Sequence, residues 1–177
     1  MTDQGVLLYG PPASGKDTVT AYLSRTDRRY QLYRRLKVGS GRTESYRMTT
    51  APALDHLAAT DQIIWENRRY GSRYAIERSS IELMIRQGQI PVIHAGQPEI
   101  ILAIQNAFPV TTWITVELTC PRDIALKRIV ARDTGDTYAR LAAWDATPRL
   151  HRADLVLDTS LRSPSESADS IRRVVES

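Results

Sequence analysis

The chain has 177 residues, of which 42% are hydrophobic and 25% charged, and a formal net charge of +4. That length suits one domain with a single buried core, and the composition excludes a disordered or fibrous chain. No stretch approaches the roughly 18 consecutive apolar residues of a membrane span, and the N-terminus enters a strand-like segment directly, so no membrane contact, secretory signal or transit peptide is expected.

The single cysteine, Cys120, cannot form an internal disulfide, which fits a cytoplasmic setting. The charge is unevenly spread. Residues 25–78 hold 12 Lys/Arg against 6 Asp/Glu, so this stretch is +6 and the remainder −2. A basic region of this kind suits nucleic acid, a membrane surface or small phosphorylated ligands, or is simply a solvated Arg-rich surface. No RNA-binding aromatic pattern or long basic helix accompanies it, and no nucleic-acid partner is expected.

In chain order, Gly5–Tyr9 is an apolar run ending at Gly10 and a proline pair, which predicts a buried strand entering a loop. Helical spacing follows from about Lys16 to Ser24. The stretch from Arg25 to Tyr74 is polar, basic and tyrosine-rich, with turn residues at Gly39-Ser40-Gly41 and Ala51-Pro52. It is read as an inserted subdomain with short strands near Gln62–Glu66 and Ser72–Ile76. A helix over about Glu77–Gln87 stops at Gly88. Ile90–Ile93 is a second buried strand and Glu99–Ala107 a helix. Thr112–Leu118 is a third strand, followed by helices over Pro121–Arg132 and Asp136–Trp144. Asp154–Leu157 is a fourth strand and Ser165–Glu176 the last helix. Strands alternating with helices of this length imply crossover units and a mostly parallel sheet with helices on both faces.

The chemistry is concentrated in Gly10-Pro11-Pro12-Ala13-Ser14-Gly15-Lys16-Asp17-Thr18, placed where a strand ends and a helix begins. Gly10, Gly15 and Lys16 have the spacing of a phosphate-binding loop. Its amides and the helix N-terminus can surround a β-phosphate, and Lys16 can follow charge toward the transferred group. The ATP-binding set is therefore Gly10, Pro11, Ala13, Ser14, Gly15, Lys16, Asp17 and Thr18. The position after the lysine normally holds Ser or Thr and here holds Asp17. The Mg²⁺-side hydroxyl is assigned to Thr18, with Asp17 as the alternative metal-side group.

This loop and its surroundings resemble the nucleoside monophosphate kinases. Later segments are similar to guanylate kinase and to ribose 1,5-bisphosphate phosphokinase. Tyr70-Gly71-Ser72 resembles a Tyr-Gly-Thr segment of guanylate kinases, and Ala153–Ser160 the last strand of small P-loop kinases. Leu126–Arg128 with Arg132, followed by Tyr138–Leu141, resembles a paired-arginine lid.

The resemblance implies a three-layer α/β P-loop kinase fold with a mostly parallel five-stranded sheet, and a single domain over 1–177. Its core would cover about 1–25 and 77–177, an acceptor-binding insertion about 30–76, and a helical lid about 128–148. It implies catalytic roles for Lys16, Arg128, Arg132 and Arg140.

Gly41–Arg47 resembles the stretch where arginines and a tyrosine grip a nucleotide phosphate, which nominates Arg42, Arg47 and Tyr46 for the acceptor. Tyr70 is an acceptor-phosphate or base contact, and Glu66 lies near the position of a base-reading glutamate. His94, at the end of its strand, is placed where ligands bind in open α/β sheets. Imidazole is a poor ligand for Mg²⁺, so it orients the acceptor or a phosphate.

The expected activity is transfer of the γ-phosphoryl group of ATP, with Mg²⁺, to a small phosphate-bearing acceptor, either a nucleoside monophosphate or a pentose phosphate. The expected assembly is a monomer or homodimer. Two alternatives stay open. A kinase acting on a hydroxyl would need Asp55, Glu66 or His94 as base, and a guanylate-kinase-like binding module would have lost catalysis.

Overall fold

A computed structural model of the chain describes residues 3–41, 43–69 and 71–177. In chain order the first half comprises β1 (Gln4–Tyr9), α1 (Lys16–Thr26), β2 (Tyr30–Leu32), β3 (Arg35–Val38), β4 (Tyr46–Met48), α2 (Ala51–Ala59), β5 (Ile63–Arg69) and β6 (Ser72–Glu77). The second half comprises α3 (Arg78–Arg86), β7 (Ile90–Ala95), α4 (Pro98–Ala107), β8 (Thr112–Thr119), α5 (Arg122–Ala131), α6 (Thr137–Asp145), β9 (Leu155–Asp158) and α7 (Pro164–Val175).

The main sheet has five strands in the order β2-β7-β1-β8-β9, and every pairing is parallel. β1 sits at its centre and is apolar on both faces, as a strand covered by two helical layers must be. Val6 and Leu8 face a core shared with Val19 and Leu23 of α1 and Ile171 and Val175 of α7. Leu7 and Tyr9 face the other layer, where Ile81 of α3 and Ile100 and Ile104 of α4 close over them. This gives the three-layer α/β architecture.

A second sheet, in the order β4-β3-β6-β5, is formed by residues 35–77. Leu36 and Ala75 of this sheet pack on Leu54 of α2, forming a small core of their own. Two features differ from the expectation. Residues Tyr30–Leu32, assigned above to the inserted region, form the edge strand of the main sheet, paired with Ile90–Val92. Tyr30 is fully buried there. Ala51-Pro52, read as a turn, opens α2 instead. The Thr50 side chain caps that helix by accepting from the Ala53 amide, and proline is compatible with the first helical turn, where no amide donor is needed. No helix among the described residues is long and apolar enough to cross a membrane.

Candidate active site

The loop after β1 is shaped by close approach. A Cβ on Gly10 would lie 2.5 Å from the Leu118 carbonyl oxygen and 2.6 Å from Ser14 Oγ. Gly15 takes φ 97° at the N-cap of α1, a conformation that glycine adopts without steric cost. Lys16 folds back over this loop. Its Nζ donates to the carbonyls of Gly10 at 2.5 Å and Pro11 at 2.9 Å. Burial pushes its pKa down to about 8, against the pull of the neighbouring Asp17 carboxylate.

The loop opens onto a cavity of about 460 Å³ lined by Ser14, Lys16, Asp17 and His94 from the main sheet side. From the second sheet the lining includes Arg35, Lys37, Tyr46, Arg69, Ser72 and Tyr74, and from the helical region Arg132, Asp136 and Arg140. Among the described residues, six cations and two carboxylates face one space. Arg35 projects from β3, donates to the His94 carbonyl and lies over the Trp65 ring, and burial lowers its pKa from the ordinary guanidinium value. Lys37 is 3% exposed. Its Nζ donates to the Ser40 carbonyl at 2.6 Å and lies over the rings of Tyr46 and Tyr74. Alternation along β3 explains this placement: Leu36 turns to the small core while Arg35 and Lys37 line the cavity.

A second cavity, of about 390 Å³, lies along Ala13, Gly15, Thr18, Val19, Arg132 and Arg162. It shares Ala13, Gly15 and Arg132 with the first. Arg132 is thus placed where the two spaces meet.

The residues nominated from sequence fall in different places. Arg128 is tied into the scaffold: it donates to the Ala13 carbonyl at 3.0 Å, to Thr159 Oγ1 at 2.9 Å and to the Thr159 carbonyl at 2.8 Å. It lines only the second cavity. Thr18 also lines that cavity, whereas Asp17 lines the first. Asp17 therefore shares the first cavity with Lys16, and Thr18 does not.

Arg47 does not line either cavity. It donates to Glu77 Oε1 at 2.8 Å and the Arg34 carbonyl at 2.9 Å, joining β4 to the start of α3. Glu66 is likewise absent from both linings. Arg73 on the adjacent strand holds it through contacts of 2.7 Å and 3.2 Å and takes Asp55 with its remaining nitrogen at 2.7 Å. Tyr46, His94, Arg132 and Arg140 do line the large cavity, with Arg140 also paired to Asp136 at 2.7 Å. Arg42 and Tyr70 lie outside the described residues.

Arg35, Lys37 and Tyr74 were not singled out from sequence. The signal was present in the alternation of cations with Leu36 and Val38. Thr159 and Arg162 beside the second cavity carried no comparable signal.

His94 is 18% exposed at its side chain. Its Nε2 lies 2.8 Å from Thr20 Oγ1, and its Nδ1 lies 3.6 Å from Asp17 Oδ1. Burial and the nearby Lys16 charge push its pKa down to about 3, so the ring is neutral. Among the described residues, no three His, Cys, Asp or Glu side chains converge as a metal site.

No family model matches the chain. An uncharacterized AAA domain-containing protein of Mycobacterium tuberculosis (strain ATCC 25618 / H37Rv) is 27% identical over 183 residues, which cover 96% of this chain. The match spans 39% of that relative's length. Guanylate kinase from Anaplasma phagocytophilum superposes with a TM-score of 0.65 at 13% identity, over 99% of this chain and 85% of that one. The Mycobacterium tuberculosis APS kinase CysC, solved with AMPPNP and APS, superposes with a TM-score of 0.58 at 17% identity, over 99% of each chain. At these identities the likeness is one of fold: the chain has the architecture of the P-loop kinases.

Proposed function

We propose that the protein is an ATP-dependent kinase that transfers the γ-phosphoryl group to a small acceptor already bearing phosphate, a nucleoside monophosphate or a pentose phosphate. The observation that carries this reading is the 460 Å³ cavity lined by Lys16, Arg35, Lys37, Arg69, Arg132 and Arg140. Phosphoryl transfer places negative charge on both reacting partners and on the migrating group, so catalysis is mainly positioning and supply of positive charge.

In this reading the loop amides and Lys16 hold the triphosphate, and the second cavity, continuous with the loop through Ala13 and Gly15, takes its nucleoside. Arg35 and Lys37 hold the acceptor's phosphate from the second sheet. Arg132, at the junction of the two cavities, bridges phosphates of both substrates, and Arg140 joins it from α6. Asp17 offers hard oxygen beside Lys16 and fits a magnesium ion, which would take its other ligands from phosphate and water. When bound with the triphosphate, such an ion neutralises charge on the phosphates.

An ionised acceptor phosphate, with its second pKa near 6, needs no base to make it a nucleophile. The bases considered for a hydroxyl acceptor are poorly placed to serve. Asp55 and Glu66 are both bound to Arg73, and His94 is too weak a base. A coupled ADP-release assay across nucleoside monophosphates, nucleosides and pentose phosphates tests the proposal. Turnover with phosphate-bearing acceptors is expected, and turnover confined to unphosphorylated ones would refute it.

A further inference from the structure

Two residues of this site stand in an unusual combination. Asp17 follows the loop lysine where a hydroxyl is usual, and a P-loop site commonly takes its carboxylate from a neighbouring strand instead. Here the penultimate residue of the neighbouring strand, β7, is His94, in register with Leu8 of β1. The imidazole is flanked on both nitrogens by residues of one helix face. Asp17 and Thr20 are three positions apart on α1, so both side chains reach the same ring. Nε2 lies 2.8 Å from Thr20 Oγ1, and Nδ1 faces the Asp17 carboxylate at 3.6 Å.

These neighbours select a tautomer. A carboxylate can only accept, whereas a threonine hydroxyl can donate. The proton therefore belongs on Nδ1, toward Asp17, and the Nε2 lone pair accepts from Thr20. The opposite tautomer would turn a lone pair toward a negative charge. The 3.6 Å separation is wider than a formed hydrogen bond. The Asp17 side chain is 44% exposed.

We propose that His94 is the positioning residue for Asp17, a ring anchored by Thr20 that directs its Nδ1–H at the carboxylate and holds it toward the triphosphate. The acid then comes from the first turn of α1 and the donor from the strand end, the reverse of the common distribution. Arg35 adds to the arrangement by holding the main chain of His94 through its carbonyl. The proposal rests on the kinase reading for its kinetic consequences but not for its geometry.

The test therefore has two arms. In the substrate-free wild-type protein, nitrogen-15 shifts and one-bond N–H couplings of His94 report the tautomer. A ring protonated on Nδ1 and bare on Nε2 is expected, and an Nε2–H ring overturns the proposal whatever the activity. In the kinetic arm, His94→Ala is expected to lower kcat about 10–100-fold, the usual range for outer-shell partners, with little change in KM for ATP. His94→Asn keeps an N–H donor near the Nδ1 position and should stay within about 3-fold of wild type in kcat, because the donated hydrogen bond survives. In an Asp17→Ser background, His94→Ala should cost little further, because coupled residues are non-additive. Equal losses in the Ala and Asn variants, or additive losses in the double variant, contradict a positioning role. If the wild type transfers no phosphate to any acceptor, the kinase reading fails and the tautomer decides this proposal alone. If His94→Ala does not fold, the wild-type tautomer likewise decides.

Discussion

Replacing Arg128 by alanine separates a scaffold role from a catalytic one. Its guanidinium carries three contacts between 2.8 and 3.0 Å, joining the loop after β1 at Ala13 to the turn after β9 at Thr159. Hydrogen bonds from a charged donor contribute about 1.5–3 kcal/mol each, but three from one group are not additive. Two of the three acceptors are main-chain carbonyls, which lose a charged donor on truncation. A total destabilisation of about 3 kcal/mol follows. For a chain of this size each kcal/mol corresponds to roughly 2–4 °C, so the melting temperature should fall by about 6–12 °C. Thermal melts followed by circular dichroism give the value directly. Arg128→Lys should recover less than half of the loss, because one ammonium cannot reproduce the planar fork. An Arg128→Ala protein with an unchanged melting temperature and a large loss of turnover would refute the reasoning and restore Arg128 as a catalytic group.

Gly10→Ala places a methyl 2.5 Å from the Leu118 carbonyl of the central sheet, so a loss of roughly 1–3 kcal/mol is expected by thermal melt together with weaker ATP binding by titration calorimetry. Lys37→Met should raise KM for the acceptor at least about tenfold, the equivalent of one charged hydrogen bond. Arg47→Ala, which breaks the pair with Glu77, should change that KM little and lower stability instead, and steady-state kinetics with melts on both variants distinguishes the two roles. The depressed pKa of His94 makes stability depend on pH. Below about 6.5 the unfolded chain protonates this histidine while the folded one, with a value of about 3, does not. Unfolding is thereby favoured as pH falls from about 6.5 toward 3, with a slope of at most about 1.4 kcal/mol per pH unit from this group. His94→Asn should flatten that part of the curve in denaturant titrations relative to wild type, and identical curves would contradict the assignment.

The core sheet was legible where apolar runs were long. Val6–Tyr9 lies buried between Gly5 and Gly10, and the strand Thr112–Thr119 is buried over Thr115–Leu118 and followed by Cys120-Pro121, the pattern a covered parallel strand leaves in sequence. The Gly10–Thr18 loop was legible because few residue types permit its close contacts, as Gly10 against the Leu118 carbonyl illustrates. Tyr30–Leu32 was not, since a three-residue strand containing Gln31 is too short to show a period, and only its pairing with Ile90–Val92 defines it.

The second-sheet side of the cavity was the least legible. Arginines near a tyrosine, such as Arg47 beside Tyr46, announce affinity for anions without saying whether the anion is a ligand or a neighbouring glutamate. Arg47 went to Glu77, and Arg73 took Glu66 and Asp55. The two cations that do line the cavity from β3, Arg35 and Lys37, looked like part of a solvated basic stretch because their strand is only four residues long.

The central claim is that the loop between Gly10 and Thr18 binds the polyphosphate of a nucleoside triphosphate and that Lys16 neutralises charge on the transferred group. It is tested most directly by comparing wild type and Lys16→Ala in the ADP-release assay with the best acceptor, after melts establish that both are folded. Loss of this one preorganised cation should lower kcat/KM at least about 100-fold. Undiminished transfer by the Lys16→Ala protein would contradict the account and leave only the fold standing.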